Sequence, residues 1–329
     1  MKEIAKYRSI YKKEILKVET GLTTLLKNKK PKSLYVPCSY ILNSGGKRLR
    51  PFLVLISAKA VGGKFKDVYN AAMAMEILHN FTLVHDDIMD NSDKRRGRLT
   101  LHKKYDISTA ILAGDSLITL AYECLLRDCK RNTNQIVSTF TKGVLEVCEG
   151  QSLDKEFEAR NDVSIEEYKR MIYKKTAALM ESCCSVGAQI SGAEEKQLKA
   201  VERFGKNLGL AFQLQDDLLD LVAEEAKFGK TIGSDLVEGK KTFLFLKAIE
   251  KARGEDRKAL EKIISNHGIE KDKIESYKNL YKRLGVIEDT EQEIIKYTKL
   301  ALKNISELPN KEGRELMNWL ANILINRNK

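Results

Sequence analysis

Apolar side chains recur with a helical period along most of the chain, and the alternating pattern typical of β-strands is not prominent anywhere. Only four prolines occur among the 329 residues, and the whole span from Phe52 to Leu308 lacks one. Proline interrupts helices, whereas the Leu, Ala, Lys and Glu that dominate this span favour them. The pattern therefore predicts an all-α fold.

The predicted helices follow one another along most of the chain, with a break around Pro31 and Pro37. They cover 1–30, 51–61, 68–91, 108–130, 134–157, 164–190, 194–224, 240–251, 256–266 and, in several pieces, 272–327. Ser164 followed by Glu167 has the pattern of a capping box at a helix start. No tandem repeat, low-complexity tract or convincing linker separates the helices, so we expect one domain, residues 1–329, folded as a helical bundle.

Two aspartate clusters of identical spacing, Asp86–Asp90 and Asp216–Asp220, each follow an apolar stretch. On a helix the first and last aspartate of each cluster lie one turn apart on the same face, where like charges repel. Magnesium relieves this repulsion, because it prefers oxygen ligands and shares its coordination shell with substrate phosphates. A single cluster is also typical of a solvated helix face. Two clusters, about 130 residues apart, predict facing walls of one metal–diphosphate site.

Cationic side chains lie beside glycines at two places. Gly45–Pro51 contains three cations next to two glycines, and Arg95 and Arg96 precede Gly97. Glycine lets the backbone approach an anion, and arginine presents planar donors suited to phosphate oxygens. A basic, solvent-facing loop is the alternative interpretation of each segment. Arg95 and Arg96 follow the first aspartate cluster closely enough to reach the anion that the metals would bind.

The formal net charge of +12 indicates an anionic partner, either nucleic acid or a small substrate. No basic run interleaved with aromatics occurs, so no nucleic-acid partner is expected. Six cysteines without a C-x-x-C pair and only four histidines argue against zinc and predict reduced core cysteines. No apolar signal segment follows Met1 and no run of 18 apolar residues occurs. We therefore expect a cytoplasmic protein without stable membrane insertion.

In kind, order and spacing, these motifs resemble the trans-isoprenyl diphosphate synthases, or polyprenyl synthetases, from about Asn43 to the mid-240s. The landmarks are Gly45–Pro51, His85–Asp90, Arg95–Gly97, Ala113–Asp115, Glu149–Gln151 with Asp154, Lys174–Ala177, Phe212–Asp217, Phe228–Lys230 and Gly239–Thr242. The resemblance implies an isoprenoid-synthase-type helical bundle around a deep central cavity, usually as a homodimer. It also implies a reaction that joins isopentenyl diphosphate to an allylic diphosphate and releases pyrophosphate.

The resemblance further implies a role for each matched residue. Asp86 and Asp90 would hold two magnesium ions and Asp216 a third. The allylic diphosphate would contact Arg95, Lys175, Thr176, Gln213, Lys230 and, at the far rim, Lys240. The diphosphate of isopentenyl diphosphate would contact Lys47, Arg50, His79 and Arg96. Of these, Asp86, Asp90, Arg95, Lys175, Asp216 and Lys230 are the predicted catalytic residues. Asp87, Asp115, Gln151, Asp154, Asp217 and Asp220 would orient them or water, while His85 is interpreted as structural.

This set of residue types suits the chemistry. Leaving pyrophosphate develops negative charge that divalent ions and fixed cations stabilise, and an apolar cavity keeps water from the allylic cation. No side chain is an obvious general base, so the released pyrophosphate is the expected proton acceptor.

Product length depends on Phe81, five residues before Asp86, whose ring should form the floor of the cavity. The first aspartate cluster has two residues, not four, between its second and third aspartates. A chain with this spacing and an aromatic residue at position 81 resembles archaeal-type geranylgeranyl diphosphate synthases, which make a twenty-carbon product. A fifteen-carbon farnesyl product, or a mixture, is the alternative.

Three other functions fit the intact motifs less well: a terpene cyclase, a non-catalytic partner subunit and a nucleic-acid-binding helical protein.

Overall fold

The computed structural model describes residues 2–222 and 233–325, and these residues confirm the all-α prediction. Within them the only strands are β1, Lys94–Arg95, and β2, Arg98–Leu99, which pair antiparallel as a small hairpin. The helices are α1 Lys2–Leu25, α2 Lys32–Leu42, α3 Leu49–Ala60, α4 Tyr69–Met89, α5 Leu101–Lys104, α6 Ile107–Asp128, α7 Thr133–Ala159, α8 Ile165–Ile172, α9 Ala178–Ile190, α10 Glu195–Val222, α11 Ser234–Val237, α12 Phe243–Lys251, α13 Gly254–Ser265, α14 Ile274–Arg283, α15 Val286–Leu302 and α16 Lys311–Ile325.

The chain folds into two compact units, each assembled from segments that are distant in sequence. The first consists of Met1–Leu145, Leu179–Gly205 and Asn304–Leu320, and the second of Glu146–Ala178, Lys206–Lys303 and Ala321–Lys329. That the chain forms one domain therefore stays a prediction.

The core of the first unit is built around α3, whose residues 51–58 are all buried. Its residues from Phe52 to Ile56 are fully buried, and burial of each large apolar side chain stabilises the fold by about 1.5–3 kcal/mol. Glycine lets a second helix come close: a Cβ at Gly187 of α9 would lie 3.0 Å from the Val54 carbonyl carbon. Tyr11 of α1 packs edge-on against Phe52, with ring centroids 4.9 Å apart. The core thus fixes the N-terminal end of α3, where the basic glycine loop enters.

The second unit has its own apolar core. Buried members of this core come from six helices of the chain and include Tyr168, Leu214, Phe243, Leu260, Tyr281 and Ile294. Burial of this cluster fixes α8 against α10, because Tyr168 lies on one of these helices and Leu214 on the other. These two helices carry the second group of predicted site residues.

The predicted helix boundaries differ from the observed ones where caps and turns compete. Helix α3 begins at Leu49, two residues before the predicted Pro51. Proline is tolerated there because the first four backbone N–H groups of a helix have no intrahelical partner. The capping box of Ser164 and Glu167 is confirmed at the start of α8. The single helix predicted for 164–190 is interrupted by a π-helical turn at Tyr173–Ala177.

Two composition-based predictions meet the structure differently. All six cysteines lie in the described residues, none of them forms a disulfide, and four are buried. The core prediction is wrong for Cys148, which is exposed on α7. Among the described residues, only α6 is long and apolar enough to cross a membrane, and 44% of its apolar 18-residue stretch is buried. Core helices of soluble proteins can be equally long and apolar, so this is weak evidence for a membrane span.

Candidate active site

The basic glycine loop has a backbone that only glycine adopts readily. Gly45 and Gly46 have φ angles of 78° and 129°, in a region that side-chain-bearing residues rarely occupy. A Cβ at Gly46 would lie 2.8 Å from the guanidinium carbon of Arg96, which donates to the carbonyl oxygen of Gly45. The two predicted cationic segments therefore come together, as the sequence analysis expected, and glycine makes room for the arginine.

Arg48 holds this loop in place through a buried side chain, a role that was not predicted from the sequence. Its side chain is buried, and Nη1 donates to Oε1 of Glu76 on α4 at 2.6 Å. Nη2 donates to the carbonyl oxygen of Leu42 at 2.8 Å. Arg48 lies in the left-handed region (φ 45°) and caps the start of α3. Because Lys47 and Arg50 flank it, the buried ion pair determines where those two predicted ligands lie.

Arg50 and His79 come together, as predicted for two ligands of one diphosphate. Nη1 of Arg50 lies 3.1 Å from Nε2 of His79. Since a guanidinium only donates, Nε2 must accept and the proton of the neutral imidazole lies on Nδ1. Burial, and then the charge of Arg50, holds the pKa of His79 well below its usual value. Nδ1 is buried and has no hydrogen-bond partner among the described residues, so its N–H is suited to a ligand oxygen.

The first aspartate cluster lies at the C-terminal end of α4. The backbone N–H of Asp90 donates to the carbonyl oxygen of Asp86 at 2.9 Å, so the two are one turn apart, as predicted. Asp86 is half-buried and Asp90 exposed. The middle residue, Asp87, is buried and accepts from Nε of Arg95 at 2.6 Å. Burial raises the pKa of Asp87, and Arg95 opposes that shift.

The hairpin that follows positions the arginine pair. Arg96 and Gly97 have φ angles of 53° and 74°, and positive φ at both central residues defines a type I′ turn. In this turn Arg95 pairs with Arg98 across the two strands. Arg95 reaches Asp87, and Arg96 reaches the glycine loop. The two arginines of this hairpin thus contact both α4, which carries the first aspartate cluster, and the glycine loop that is predicted to bind isopentenyl diphosphate.

Phe81 lies one helical turn before the first cluster. Its side chain is buried, and its ring packs against the imidazole of His85 with centroids 4.7 Å apart and an interplanar angle of 58°.

The second aspartate cluster, on α10, has a different set of partners. Asp217 is buried and accepts from the hydroxyl of Tyr168 and from Nε2 of Gln213, the latter at 2.9 Å. Burial, and then the charge of Asp235, raises the pKa of Asp217 to about 8. Asp220 is fixed by two donors, the Ser234 hydroxyl at 2.6 Å and the Asp235 backbone N–H at 3.0 Å. Asp216, between these buried interactions, is half-buried.

Three predicted ligands of the allylic diphosphate lie near this cluster in the second unit. Thr176 donates to Oε1 of Gln213 at 2.8 Å, so two of the predicted ligands contact each other. Lys175, in the π-helical turn, forms an ion pair with Asp154 at 2.5 Å. A Cβ at Gly150 would lie 2.6 Å from the Cα of Lys175, so glycine at this position lets α7 approach the turn.

The last two predicted ligands of the allylic diphosphate are Lys240 and Lys230. Lys240 pairs with Glu238 at 2.8 Å and with Asp235 at 3.4 Å. Burial alone would lower the pKa of Lys240, but these carboxylates raise it above its usual value. Lys230 lies outside the described residues.

The donor set fits magnesium by its chemistry. Each cluster presents outer carboxylates and no nitrogen or sulfur ligand, which suits a hard cation. Residues 2–222 and 233–325 contain no preassembled group of three or more His, Cys, Asp or Glu side chains around a metal position. A magnesium ion held here would therefore depend on substrate oxygens and water for the rest of its shell, as this ion commonly does.

Comparison with known proteins agrees with the geometry, first at the level of the fold. A crystal structure of geranylgeranyl pyrophosphate synthetase from Pyrococcus horikoshii Ot3 superposes with a TM-score of 0.90 at 36% identity, covering 98% of this chain and 100% of that one. The polyprenyl synthetase family matches residues 31–282. The chain belongs to the polyprenyl synthetase family, and the resemblance inferred from its motifs is confirmed.

Two relatives show how much of the chain is shared. The geranylgeranyl diphosphate synthase of Sulfolobus acidocaldarius is 38% identical over 303 residues, covering 90% of this chain and 91% of that protein. The short chain isoprenyl diphosphate synthase of Methanothermobacter thermautotrophicus is 37% identical over 298 residues, covering 90% and 91%. The individual roles assigned to the site residues stay predictions.

Proposed function

We propose that this chain is a magnesium-dependent short-chain prenyltransferase. It condenses isopentenyl diphosphate with dimethylallyl, geranyl and farnesyl diphosphates and makes geranylgeranyl diphosphate and pyrophosphate. Prenyl transfer is the activity of the family and of the relatives whose names specify it. The dependence on magnesium, the residues that bind each substrate and the length of the product are argued below from the residues of this chain.

The observation that carries the proposal is that the middle aspartate of the first cluster has different surroundings from the two outer ones. Asp87 is buried against Arg95, so its charge is already compensated inside the protein. The outer carboxylates of Asp86 and Asp90 lie one turn apart at the more accessible end of the same helix. An ordinary solvated helix face does not bury its central carboxylate against an arginine between two more exposed carboxylates.

The chain's own residues contribute binding, orientation and fixed charge. Asp86, Asp90 and Asp216 would hold magnesium, which when bound acts as a Lewis acid on the diphosphate. Arg95 is held in place by Asp87, and Gln213 by Thr176 and Asp217, so each meets the allylic diphosphate in a preset orientation. Preset donors stabilise developing charge without reorganising during the reaction.

The second substrate would bind at the glycine loop. Lys47, Arg50 and Arg96 supply positive charge, and His79 supplies an Nδ1–H donor that has no acceptor among the described residues. Neutral His79 suits this role, because Arg50 already provides the local positive charge and a second one would be costly there.

Phe81 would set the product length. Its buried ring lies on α4 about one turn before Asp86, and in this proposal the growing prenyl tail extends along that side of the helix. We propose a twenty-carbon product, with a fifteen-carbon product or a mixture as the alternative.

The test is product analysis with labelled isopentenyl diphosphate and each of the five-, ten- and fifteen-carbon allylic primers. Prenyl alcohols released by phosphatase are sized with and without magnesium, and with Asp86→Ala as the blank. A magnesium-dependent twenty-carbon product from all three primers supports the proposal. A fifteen-carbon stop keeps the reaction and overturns the proposed product. Absence of any magnesium-dependent product overturns the catalytic proposal in favour of a non-catalytic partner subunit.

Exposed apolar side chains on α6 support a homodimer. Ile107, Ile111 and Leu112 lie within the first two turns of α6 and expose 57%, 42% and 60% of their surface. A solvated helix of a monomer seldom presents three such neighbours, and burying them against a second copy removes that surface from water. Light scattering should give a dimer mass for the wild type and a monomer mass for Leu112→Glu. A monomeric wild type would overturn the proposal.

A further inference from the structure

The ring proposed to limit the product, Phe81, has a neighbour whose position is itself determined by another helix. Phe81 and His85 are one turn apart on α4, and their rings pack at 4.7 Å between centroids. Side chains four residues apart on a helix contact each other directly, so the imidazole borders one side of the Phe81 ring. This inference rests on the proposed prenyltransferase function and concerns what determines the product length.

The imidazole of His85 lies against the backbone of Gly114 on α6. A Cβ at position 114 would lie 2.6 Å from Cδ2 of His85 and closer still to Nε2. Only glycine therefore allows the ring to occupy this place, which we call the Gly114 seat. A methyl group at position 114 forces the imidazole to move, and the cost is low because a side-chain ring moves more easily than backbone.

Polar contacts do not account for the position of His85. Nε2 is buried and has no hydrogen-bond partner in the described part of the chain. The nearest carboxylate oxygen, Oδ1 of Asp115, is 3.9 Å away, which is too long for a hydrogen bond. The ring is therefore held by the shape of its surroundings, between Phe81 on its own helix and the Gly114 seat on α6.

We infer that His85, placed by the Gly114 seat, is a positioning residue that holds the Phe81 ring across the path of the prenyl tail. Phe81 on a helix has two accessible χ1 rotamers, and the imidazole favours the observed one. When the imidazole is absent or displaced, the Phe81 ring spends more time in its other rotamer. Elongation continues during that time, so the enzyme releases longer products.

The experiment compares His85→Ala, Gly114→Ala and the double variant under saturating isopentenyl diphosphate and magnesium. The readout is the ratio of products longer than the wild-type product to the wild-type product, which is independent of the total rate. His85→Ala should raise this ratio roughly three- to tenfold, the range that follows from the usual strength of one ring–ring contact. Gly114→Ala should raise it in the same direction. In the His85→Ala background, Gly114→Ala should have no further effect, because no imidazole is left to displace.

Two controls separate this role from general damage. Gly143→Ala is a matched change in α7 of the same unit, where a Cβ would lie 2.5 Å from the Ser182 hydroxyl oxygen, and it should leave the product ratio unchanged. His85→Asn keeps a polar side chain without a ring and should behave like His85→Ala. Thermal unfolding establishes that each variant is folded before its products are sized.

Several results would overturn the inference. A wild-type product ratio in His85→Ala shows that the imidazole does not hold Phe81. An equal effect of Gly114→Ala with and without His85 shows that position 114 acts by another route. A wild-type ratio in His85→Asn shows that polarity, not the ring, matters. If the wild type itself forms no magnesium-dependent product, the proposed function fails; if it does and the variants leave the ratio unchanged, only this inference fails.

Discussion

The middle aspartates of the two clusters, Asp87 and Asp217, occupy the same place in the same five-residue pattern, and both are buried. Asp87 is paired with a cation, Arg95, whereas Asp217 is held by two neutral donors, Tyr168 and Gln213. Burial, and then the charge of Asp235, raises the pKa of Asp217 to about 8, so the middle carboxyl of the second cluster is mostly protonated at neutral pH without metal; at Asp87 the charge of Arg95 opposes the effect of burial. Identical sequence spacing thus yields a compensated charge in one unit and a nearly neutral acid in the other.

The outer aspartates should matter most, and equally in both clusters. Asp86→Asn and Asp216→Asn each remove the charge of one predicted metal ligand while keeping the shape of the side chain. Each should lower kcat/KM by about 10³-fold, the scale of losing a fixed charge that stabilises a transition state. Asp67→Asn and Asp272→Asn, on exposed residues of the first and second units, are the controls. Near-normal activity of Asp216→Asn would show that the second cluster holds no essential metal.

Removing the middle carboxylate should reduce the stability of the protein more in the first cluster than in the second. Asp87→Asn leaves the charge of Arg95 without its buried partner, and should lower the free energy of unfolding by about 2 kcal/mol, less than for a fully buried pair because Arg95 is partly exposed. Asp217→Asn replaces a mostly neutral acid with a neutral amide and should change it by at most about 1 kcal/mol. Thermal unfolding in EDTA at pH 7 measures both. A larger loss for Asp217→Asn than for Asp87→Asn would reverse the comparison.

The pH dependence of stability should follow from Asp217. Its pKa is near 4 in the unfolded chain and about 8 in the folded one, so between these values the folded state binds more protons. The contribution of the protonated side chain is full below pH 4 and is lost as the pH rises to about 8. Metal-free protein should therefore unfold at a lower temperature at pH 8 than at pH 5.5, by a margin that shrinks in Asp217→Asn. The same margin in wild type and variant would contradict the assigned pKa.

The smallest effect should come from the tyrosine that contacts Asp217. Tyr168→Phe removes the hydroxyl that donates to the Asp217 carboxylate, and should lower the free energy of unfolding by about 1 kcal/mol. Since this hydrogen bond lowers the pKa of Asp217, its loss should also extend the pH-dependent decrease in stability to higher pH. Unfolding midpoints measured across the pH range test both expectations. Unchanged midpoints at every pH would show that Gln213 alone suffices to hold Asp217.

The sequence predicted those features that depend on neighbours a few residues away. The i, i+4 relation of Asp86 and Asp90, the capping box of Ser164 and the glycines of the basic loop all follow from local geometry. Arg48 and Glu76, by contrast, are 28 residues apart, and no periodicity tells which buried carboxylate an arginine will meet. The different partners of Asp87 and Asp217 were unpredictable for the same reason, because partner choice depends on tertiary packing rather than on spacing.

Helix interiors were predicted better than helix ends. The start of α3 depends on a left-handed Arg48 that no propensity favours, and its ion pair with Glu76 stabilises that conformation. The π-helical turn at Tyr173–Ala177 also escaped prediction, since its residues are ordinary helix formers.

That turn has a consequence for comparing this chain with its relatives. A π-helical turn holds one residue more than an α-helical turn, so the side chains after it are about 100° out of step with the helical period before it. Deleting a single residue within Tyr173–Ala177 would convert this turn into an α-helical one. Lys175 and Thr176, the predicted ligands in the turn, would then lose the positions that the extra residue gives them. A one-residue gap in this helix is thus a change of local backbone conformation, and it alters more than the loss of one side chain.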